Sequence, residues 1–222
     1  MRVYEPSLVL DRHIHDAACA AIVVTGAFEE AGERGRFRVE AGDVLLHDRF
    51  EAHLDRFSRA GAVVLDLPLP PGRSFRPGIA KLADPDVIVI TAERSPAEAA
   101  VLLLSKIQHA TASFIDWPDE LAAALMQDSS LVLCSWAQQQ GIAPWTVTRG
   151  FAKVFGVSPE AFRARARTRR AWEAIQNTRT PLPAVALDCG FSDQAHMTRG
   201  VKRMTKMTPG EWRTLANGFK TA

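Results

Sequence analysis

The sequence has few cysteines and no long apolar segment. Its three cysteines, Cys19, Cys134 and Cys189, are widely separated and odd in number, which argues against a disulfide framework and favours a reducing compartment. The longest apolar run, Ala17–Val24, has eight residues, whereas a membrane-spanning helix needs about 20. The N-terminal stretch MRVYEPSLVLD carries charge and proline instead of an apolar core. No targeting segment is therefore expected, and the predicted location is the cytoplasm.

The whole chain has no large excess of one charge, but each of its halves does. The formal net charge is +2. Residues 1–127 hold 13 Lys and Arg against 19 Asp and Glu, a net charge of −6, and residues 128–222 hold 14 against 6, a net charge of +8. An acidic half joined to a basic half fits a nucleic-acid-binding domain fused to a domain of another kind. The alternative is a solvated surface with uneven charge.

The basic half contains one pattern twice, at an offset of 50 residues. Three matching pairs carry the similarity: Thr148-Arg149-Gly150 with Thr198-Arg199-Gly200, Ser158-Pro159 with Thr208-Pro209, and Phe162-Arg163 with Trp212-Arg213. Self-similarity at one fixed offset indicates a duplicated supersecondary unit. Two copies are too few for a solenoid, so the pattern predicts a paired module.

Each copy has the pattern of two helices joined by a turn that contains glycine. In the first copy, a helix over residues 131–140 ends at Gly141, and a second helix begins at Pro144 and ends at Gly156. In the second copy the turn glycine is Gly190. The candidate N-caps are Ser129, Ser130 and Ser192. Such a helix pair is the helix-turn-helix plan, which presents its second helix to a DNA major groove.

Helical spacing predicts which side chains face inward and how the two copies are connected. The predicted inward residues are Val147, Phe151 and Val154 in the first copy, and Val185, Ala186, Cys189, Met197, Val201 and Met204 in the second. Between the copies, Phe162–Asn177 is predicted to be one linker helix with five arginines. A rigid linker is useful because two recognition helices must reach successive major grooves, about 34 Å apart.

Residues from about Ser129 to Arg213 resemble the DNA-binding domain of the AraC/XylS family of bacterial transcription regulators. The stretch GFSDQAHMTRGVKRMTKMTPGEWR carries the resemblance, together with the weaker copy GIAPWTVTRGFAKVFGVSPEAFR. Lys206 stands where the family usually has glycine, and Ala143 where a Ser cap is common, so both helix ends are expected to be weaker by at most about 1 kcal/mol. The resemblance implies a transcription regulator that is not an enzyme, with double-stranded DNA and RNA polymerase as partners.

By the same resemblance, the early residues of each second helix contact DNA. The arginine fork of Arg149 and Arg199 fits guanine, and Gln194 can pair with adenine. The full set of predicted DNA contacts is Trp145, Thr148, Arg149, Lys153, Gln194, His196, Arg199, Lys202 and Arg203, with the three residues Lys153, Lys202 and Arg203 on phosphates. The alternatives are that Trp145 belongs to the core, that the two arginines hold a carboxylate of the same domain, and that His196 is simply exposed.

The first 90 residues have the spacing of a β domain. Short runs at 20–25, 36–39, 43–46, 53–57 and 62–67 are separated by Gly, Asp or Glu, which suggests a small sandwich or barrel. The predicted fold class is α+β: a small N-terminal cupin-like β-barrel followed by helices, and an all-α C-terminal domain with two helix-turn-helix units joined by a linker helix. The predicted domains are 1–93 (sensor), 94–127 (helical linker) and 128–222 (DNA binding).

Two stretches of this half, HIHDAACAAIVVTGAFEEAG and AGDVLLHDRFEAH, resemble the two motifs of the cupin barrel. The resemblance places His13, His15 and His53 at metal-ligand positions, and where the motif expects Glu this chain has Cys19 or Ala20. A Cys19 thiolate could serve as a fourth ligand. His47 lies off the motif. The resemblance implies an effector that is either a divalent, zinc-like metal ion or a small organic molecule. In one alternative the histidines face solvent and Ile14 faces the core. Another is a metal-dependent cupin enzyme, such as a small dioxygenase, which the missing Glu disfavours.

The segment between the two halves is predicted to be helical. Ser95-Pro96-Ala97-Glu98 is a capping box that opens a helix through about Ala110, and a second helix covers 119–126. The apolar row from Val101 to Ile107 could cover the barrel within one chain. It could equally pair with a second subunit, which predicts a homodimer through 95–127.

Overall fold

The computed structural model describes residues 1–110, 116–128 and 130–219. The chain forms two compact units. The first contains Met1–Asp119 and Val154–Gly156, and the second contains Glu120–Lys153 and Val157–Ala222. The first unit is rich in strands and the second is helical, so the predicted α+β class is confirmed.

The first unit is built on one antiparallel sheet. Its strands are β1 (Arg2–Tyr4), β2 (Val9–Ile14), β3 (Cys19–Gly32), β4 (Gly35–Glu40), β5 (Asp43–His47), β6 (Ala52–Pro68), β7 (Gly78–Lys81) and β8 (Gln108–His109). They pair in the order β1-β6-β3-β5-β7-β8, with β2 beside β6 and β4 beside β3. Within the described ranges this ladder does not close on itself. The closed cupin-like barrel is therefore not confirmed.

The two longest strands, β3 and β6, form the centre of the sheet. They pair from Cys19 opposite Pro68 to Gly32 opposite His53, with register shifts near Gly26. A Cβ atom on Gly26 would lie 2.1 Å from the carbonyl oxygen of Gly61, and both glycines have positive φ. Because Gly26 and Gly61 have no side chains, strands β3 and β6 can approach closely here and form bulges. The runs at 53–57 and 62–67 are thus two parts of the single strand β6.

The sheet buries both of its faces. On one face, Ala20 and Ile22 pack in a cluster with the helices α1 (Pro85–Arg94) and α2 (Pro96–Lys106). On the other, Ala21 and Val23 pack with aromatic residues of β3, β4 and β6. This alternation follows from the two-residue period of a strand.

Helices α1 and α2 correct part of the sequence prediction. The first 90 residues are predicted to form a β domain, but residues 85–90, which include the apolar run Val87–Ile90, belong to α1, which buries Ile88. Ser95 caps α2 as predicted, because its hydroxyl accepts the N–H of Glu98. The helix ends at Lys106 instead of near residue 110, since the chain then pairs with β7 as β8. Leu103 is buried against the sheet cluster.

The helical part of the chain repeats one plan. Its helices are α3 (Trp117–Gln127), α4 (Leu133–Gln139), α5 (Pro144–Phe155), α6 (Pro159–Asn177), α7 (Leu182–Asp188), α8 (Gln194–Thr205) and α9 (Pro209–Phe219). Helix α6 packs against α7, α8 and α9. Gly141 and Gly190 have φ of 66° and 80°, which confirms the two predicted turns. In the described part of the chain, no helix is long and apolar enough to cross a membrane.

The inward faces agree with the prediction at all but one position. Val147 and Phe151 of α5 are buried, and so are the six residues predicted for the second copy. Val154 is only half-buried, and its neighbour Phe155 is fully buried.

Two predicted N-caps are wrong. Helix α8 is capped by Asp193, whose carboxylate accepts the N–H of His196, and Ser192 lies one residue before the cap. Helix α4 begins after Val132 without a side-chain cap, so Ser130 does not cap it. Ser129 lies outside the described residues. The repeat offset relates Asp193 to Ala143, which has no side-chain acceptor to offer α5.

The backbone conformation at the end of α8 explains why a lysine at position 206 weakens this helix end. Lys206 is the C-cap, with a left-handed φ of 65°, and its N–H donates to the carbonyl of Lys202. In the first copy the equivalent residue is Gly156, with φ of 71°. A residue with a Cβ atom is strained in this conformation, whereas glycine is not.

We predict that Lys206→Gly stabilises the helical unit by about 0.5 to 1 kcal/mol, because relief of the strain exceeds the added freedom of the unfolded chain. The free energy of unfolding would be measured by urea denaturation with tryptophan fluorescence, which reports on the packed pair Trp172 and Trp212. Lys206→Ala is the matched control: it removes the same charge, keeps the strain and should give no gain. Equal stability of the Gly and Ala variants would contradict the prediction.

Candidate functional site

The first candidate site is the exposed surface of helices α5 and α8. In α5, Trp145, Thr148, Arg149 and Lys153 are exposed. Trp145 has 66% of its surface accessible. This exposure disfavours the alternative that Trp145 belongs to the core. The apolar residues of α5 lie on its opposite face, so the helix offers a polar and cationic surface.

Helix α8 offers the matching surface in the second copy. Gln194, Arg199, Lys202 and Arg203 are exposed, whereas His196 is half-buried. The His196 ring packs edge-on against Phe191 at 5.2 Å, and its Nδ1 lies 3.1 Å from the hydroxyl of Ser192. His196 is therefore held at the first turn of the helix instead of being simply exposed.

The two repeat-related arginines are not used to hold the domain together. In the described ranges, neither Arg149 nor Arg199 forms an ion pair within 4.0 Å. Other arginines do hold loops, by donating to main-chain carbonyls: the pairs are Arg163 with Leu131, Arg167 with Gly190, Arg170 with Met126, and Arg213 with Thr180. The alternative that Arg149 and Arg199 anchor a carboxylate is therefore disfavoured.

One set of arginines thus stabilises the fold, and a different set faces the solvent. Arg167 also lies 4.7 Å above the ring of Phe191, which fixes the turn before α8. Arginines of α6 and α9 fasten these loops, whereas the guanidinium groups of α5 and α8 are exposed. Guanidinium groups of this kind suit phosphate oxygens and guanine edges.

The second candidate site is a cavity of about 280 Å³ in the first unit. Polar side chains from four strand segments line it: His13, His15, Glu30, His47, His53, Asp55 and Asp66. The register brings them together, since His13 lies opposite His53 and Glu30 lies opposite Asp55. Ile14 is 44% exposed, so the alternative that places Ile14 in the core and the histidines in solvent is wrong.

The nitrogen and oxygen atoms of this cavity lie close to one another. His47 Nε2 is 3.3 Å from Glu30 Oε2, and His53 Nε2 is 4.0 Å from the same oxygen. Asp55 Oδ2 lies 3.8 Å from His53 Nε2 and 3.9 Å from His13 Nε2. Two groups could hold a metal ion, His13 with His15 and His53, and Glu30 with His47 and His53; within each group the ligand atoms lie within 4.8 Å of one another.

Burial sets the protonation of these groups. It lowers the pKa of His47 to about 3 and also lowers the pKa of His53, with further contributions from the neighbouring histidines. Both imidazoles are therefore neutral near pH 7. Burial also raises the pKa of Glu30, helped by the charges of Asp55 and Glu51, and raises the pKa of Asp55 to about 7.

Cys19 does not join either group of candidate ligands. It lines the cavity and pairs with His47 across β3 and β5, but its sulfur belongs to neither group in the part of the chain that the structure describes. Burial raises the pKa of its thiol to about 12, so the thiol is protonated near pH 7. A carboxylate is nevertheless present, because Glu30 reaches the cavity from further along β3.

Sequence reasoning missed Glu30 and His47. Ala21 and Val23 share a face with Phe28, so the bulges near Gly26 change which residues of β3 point to the cavity. Strict alternation across that glycine assigns Glu30 to the wrong face. His47 was set aside because it lies off the motif, although it ends a strand of the same sheet.

The helical repeat agrees with comparisons to known proteins. Residues 136–215 match the family model described as "Helix-turn-helix domain". The "Virulence regulon transcriptional activator VirF" of Yersinia enterocolitica (serotype O:8 / biotype 1B) is 27% identical over 115 residues, covering 50% of this chain and 41% of VirF. The "Arabinose operon regulatory protein" of Escherichia coli (strain K12) is 30% identical over 88 residues, covering 40% of this chain and 30% of that protein.

The chain spans less than half the length of these two relatives. Among solved structures, ToxT from Vibrio cholerae aligns with 96% of this chain and 97% of its own, at a TM-score of 0.47 and 8% identity. The span of the family model includes both turn glycines, Gly141 and Gly190, and both exposed arginines, Arg149 and Arg199. Residues 136–215 therefore form a helix-turn-helix domain that is similar to those of the AraC/XylS family.

Proposed function

We propose that the chain is a sequence-specific DNA-binding transcription regulator of the AraC/XylS type. Its two recognition helices, α5 and α8, would enter successive major grooves of one duplex. The observation that carries the proposal is the matched pair of exposed arginines, Arg149 and Arg199, which face solvent from equivalent positions without an ion pair among the described residues. The basic charge of residues 128–222 supplies the attraction to phosphates.

The roles of the individual side chains follow from their chemistry and exposure. Arg149 and Arg199 would bind the O6 and N7 atoms of guanine, and Gln194 would pair with adenine. Thr148 and His196 lie near the same base edges in this proposal. Trp145 would contact a thymine methyl group or a sugar, as its exposed indole ring allows. Outer cations of the helices, Lys153, Lys202 and Arg203, would bind phosphates and set the register on the duplex.

The first unit would then be the sensor. Its cavity is large enough for a metal ion or a small organic molecule and is lined by imidazoles and carboxylates. All three cysteines are free, which suits the reducing cytoplasm in which a DNA-binding regulator works. The alternative of a metal-dependent cupin enzyme gains Glu30, the carboxylate that its motif lacked. We retain the regulator because the exposed cationic faces of α5 and α8 suit DNA and have no evident role in an enzyme.

The base-reading role of Arg199 is testable. A randomised duplex pool first provides the bound site, and single-base variants of that site then provide the base preferences. Arg199→Ala should cost about 1 to 3 kcal/mol of binding free energy and relax the preference at one base position, because the bidentate contact is lost. Arg179→Ala removes an exposed charge outside both recognition helices and should leave every base preference intact. An Arg199→Ala chain that binds as tightly and as selectively as wild type would exclude the assignment.

The phosphate role of Lys202 gives a different signature. Lys202→Ala should weaken binding by a similar factor on every sequence, because phosphates carry no base information. The slope of log K against log salt concentration should fall in magnitude by about 0.9, corresponding to one fewer released counterion. Lys106→Ala, which removes an exposed lysine at the end of α2, should leave the slope unchanged. A change confined to one base position would show that Lys202 reads a base instead.

A further inference from the structure

The most unusual feature outside the helical unit is the set of polar groups buried in the cavity of the first unit. Glu30, His47, His53 and Asp55 are each no more than 6% exposed. Burying groups of this polarity is costly unless hydrogen bonds, an ion or water satisfies them. Oε2 of Glu30 and Nε2 of His47 and His53 converge in this cavity.

From this arrangement we propose that the first unit binds one divalent transition-metal ion through Glu30, His47 and His53. The proposal names the class of effector within the proposed function, and only its regulatory consequence rests on that function. It also changes the ligand set expected from the sequence, because Glu30 and His47 replace Cys19.

The donor chemistry fits this class of ion. Two imidazoles and one carboxylate suit zinc, cobalt, nickel or iron(II), whereas calcium and magnesium prefer shells made of oxygen atoms. Ala21, Phe28 and Val64 also line the cavity, and apolar groups around a metal site limit the access of solvent to it. The three ligands alone leave coordination positions open for water or a further side chain.

The geometry needs only small side-chain movements. Ligand atoms about 2.1 Å from a shared ion lie roughly 3 to 4 Å from one another. Glu30 Oε2 is 3.3 Å from His47 Nε2 and 4.0 Å from His53 Nε2, close to that requirement. The three residues sit on β3, β5 and β6, neighbouring strands of one sheet, so their backbones are held in place without the ion.

The other group of candidate ligands, His13, His15 and His53, fits less well. His13 and His15 are half-buried, and the group contains no carboxylate to balance the charge of a dication. Glu30 belongs to the fully buried group, and Asp55 adds a second carboxylate 3.8 Å from His53. The buried group therefore compensates a dication better, and His13 is close enough to complete its coordination.

The test is metal binding by the full chain after treatment with a chelator. Equilibrium dialysis against Zn²⁺, with elemental analysis, should give about one ion per chain, and Co²⁺ should give visible absorption without a thiolate charge-transfer band. Glu30→Gln and His47→Gln should each weaken Zn²⁺ binding at least tenfold, since even an outer-shell partner is worth 10- to 100-fold. Cys19→Ser is the matched control from the same cavity and should bind Zn²⁺ as wild type does.

Nitrogen-15 NMR of the histidine side chains uses the wild-type chain, so it does not depend on whether a variant folds. Zn²⁺ should shift the resonances of His47 and His53 in the wild-type chain. Three results would each overturn the proposal: no stoichiometric ion, wild-type affinity in both the Glu30 and the His47 variants, or loss of binding only when His13 or His15 is replaced. DNA selection is a separate readout, so a chain that binds Zn²⁺ without selecting any DNA sequence would contradict the proposed function and leave the metal site intact.

Discussion

The recognition surface depends on the burial of one face of each second helix. In α8, Met197 and Val201 are fully buried and Met204 is nearly so. In α5, Val147 and Phe151 are buried in the same way. A helix with a narrow apolar stripe can bury only that stripe, so its other residues must face solvent. The exposure of Arg149 and Arg199 is therefore a consequence of core packing. Arg149 and Arg199, 50 positions apart, are both exposed because the apolar stripe is repeated.

A second constraint is that a basic domain must keep some arginines for binding while it uses others for folding. In this chain, main-chain carbonyls at the ends of loops accept hydrogen bonds from the arginines of α6 and α9. Such charge-assisted bonds are stronger than neutral ones, and here they satisfy carbonyls of the loops between the helices. The fold thus uses these structural arginines at carbonyls, whereas Arg149 and Arg199 form no ion pair within 4.0 Å in the described part of the chain.

The sequence was most informative where local chemistry decides the structure. The duplicated glycines, the first-turn proline of α5 and the apolar stripes predicted the paired helices correctly, because each acts through its own backbone and near neighbours. Prediction was weaker where tertiary packing decides. The apolar run Val87–Ile90 was short enough for a strand or a helix, and the structure buries it as part of α1.

The candidate metal site shows the same limit. A linear motif could suggest His13, His15 and His53, because it reads residues at fixed spacing. Glu30 reaches the cavity only after bulges near Gly26 change the facing of β3, and His47 arrives from β5. These contributions depend on pairing between distant segments. The start of α8 was also misassigned, because Ser192 and its neighbour Asp193 are both good N-cap residues and only the structure shows that Asp193 is the cap.

If α5 and α8 both contact one duplex, hydroxyl-radical footprinting of the chain on its selected DNA site should show it. We expect two protected patches on one side of the duplex, separated by about one helical turn, or 10 to 10.5 base pairs. Arg149→Ala and Arg199→Ala should each weaken a different patch. A single patch, or two patches that both variants weaken equally, would contradict the claim.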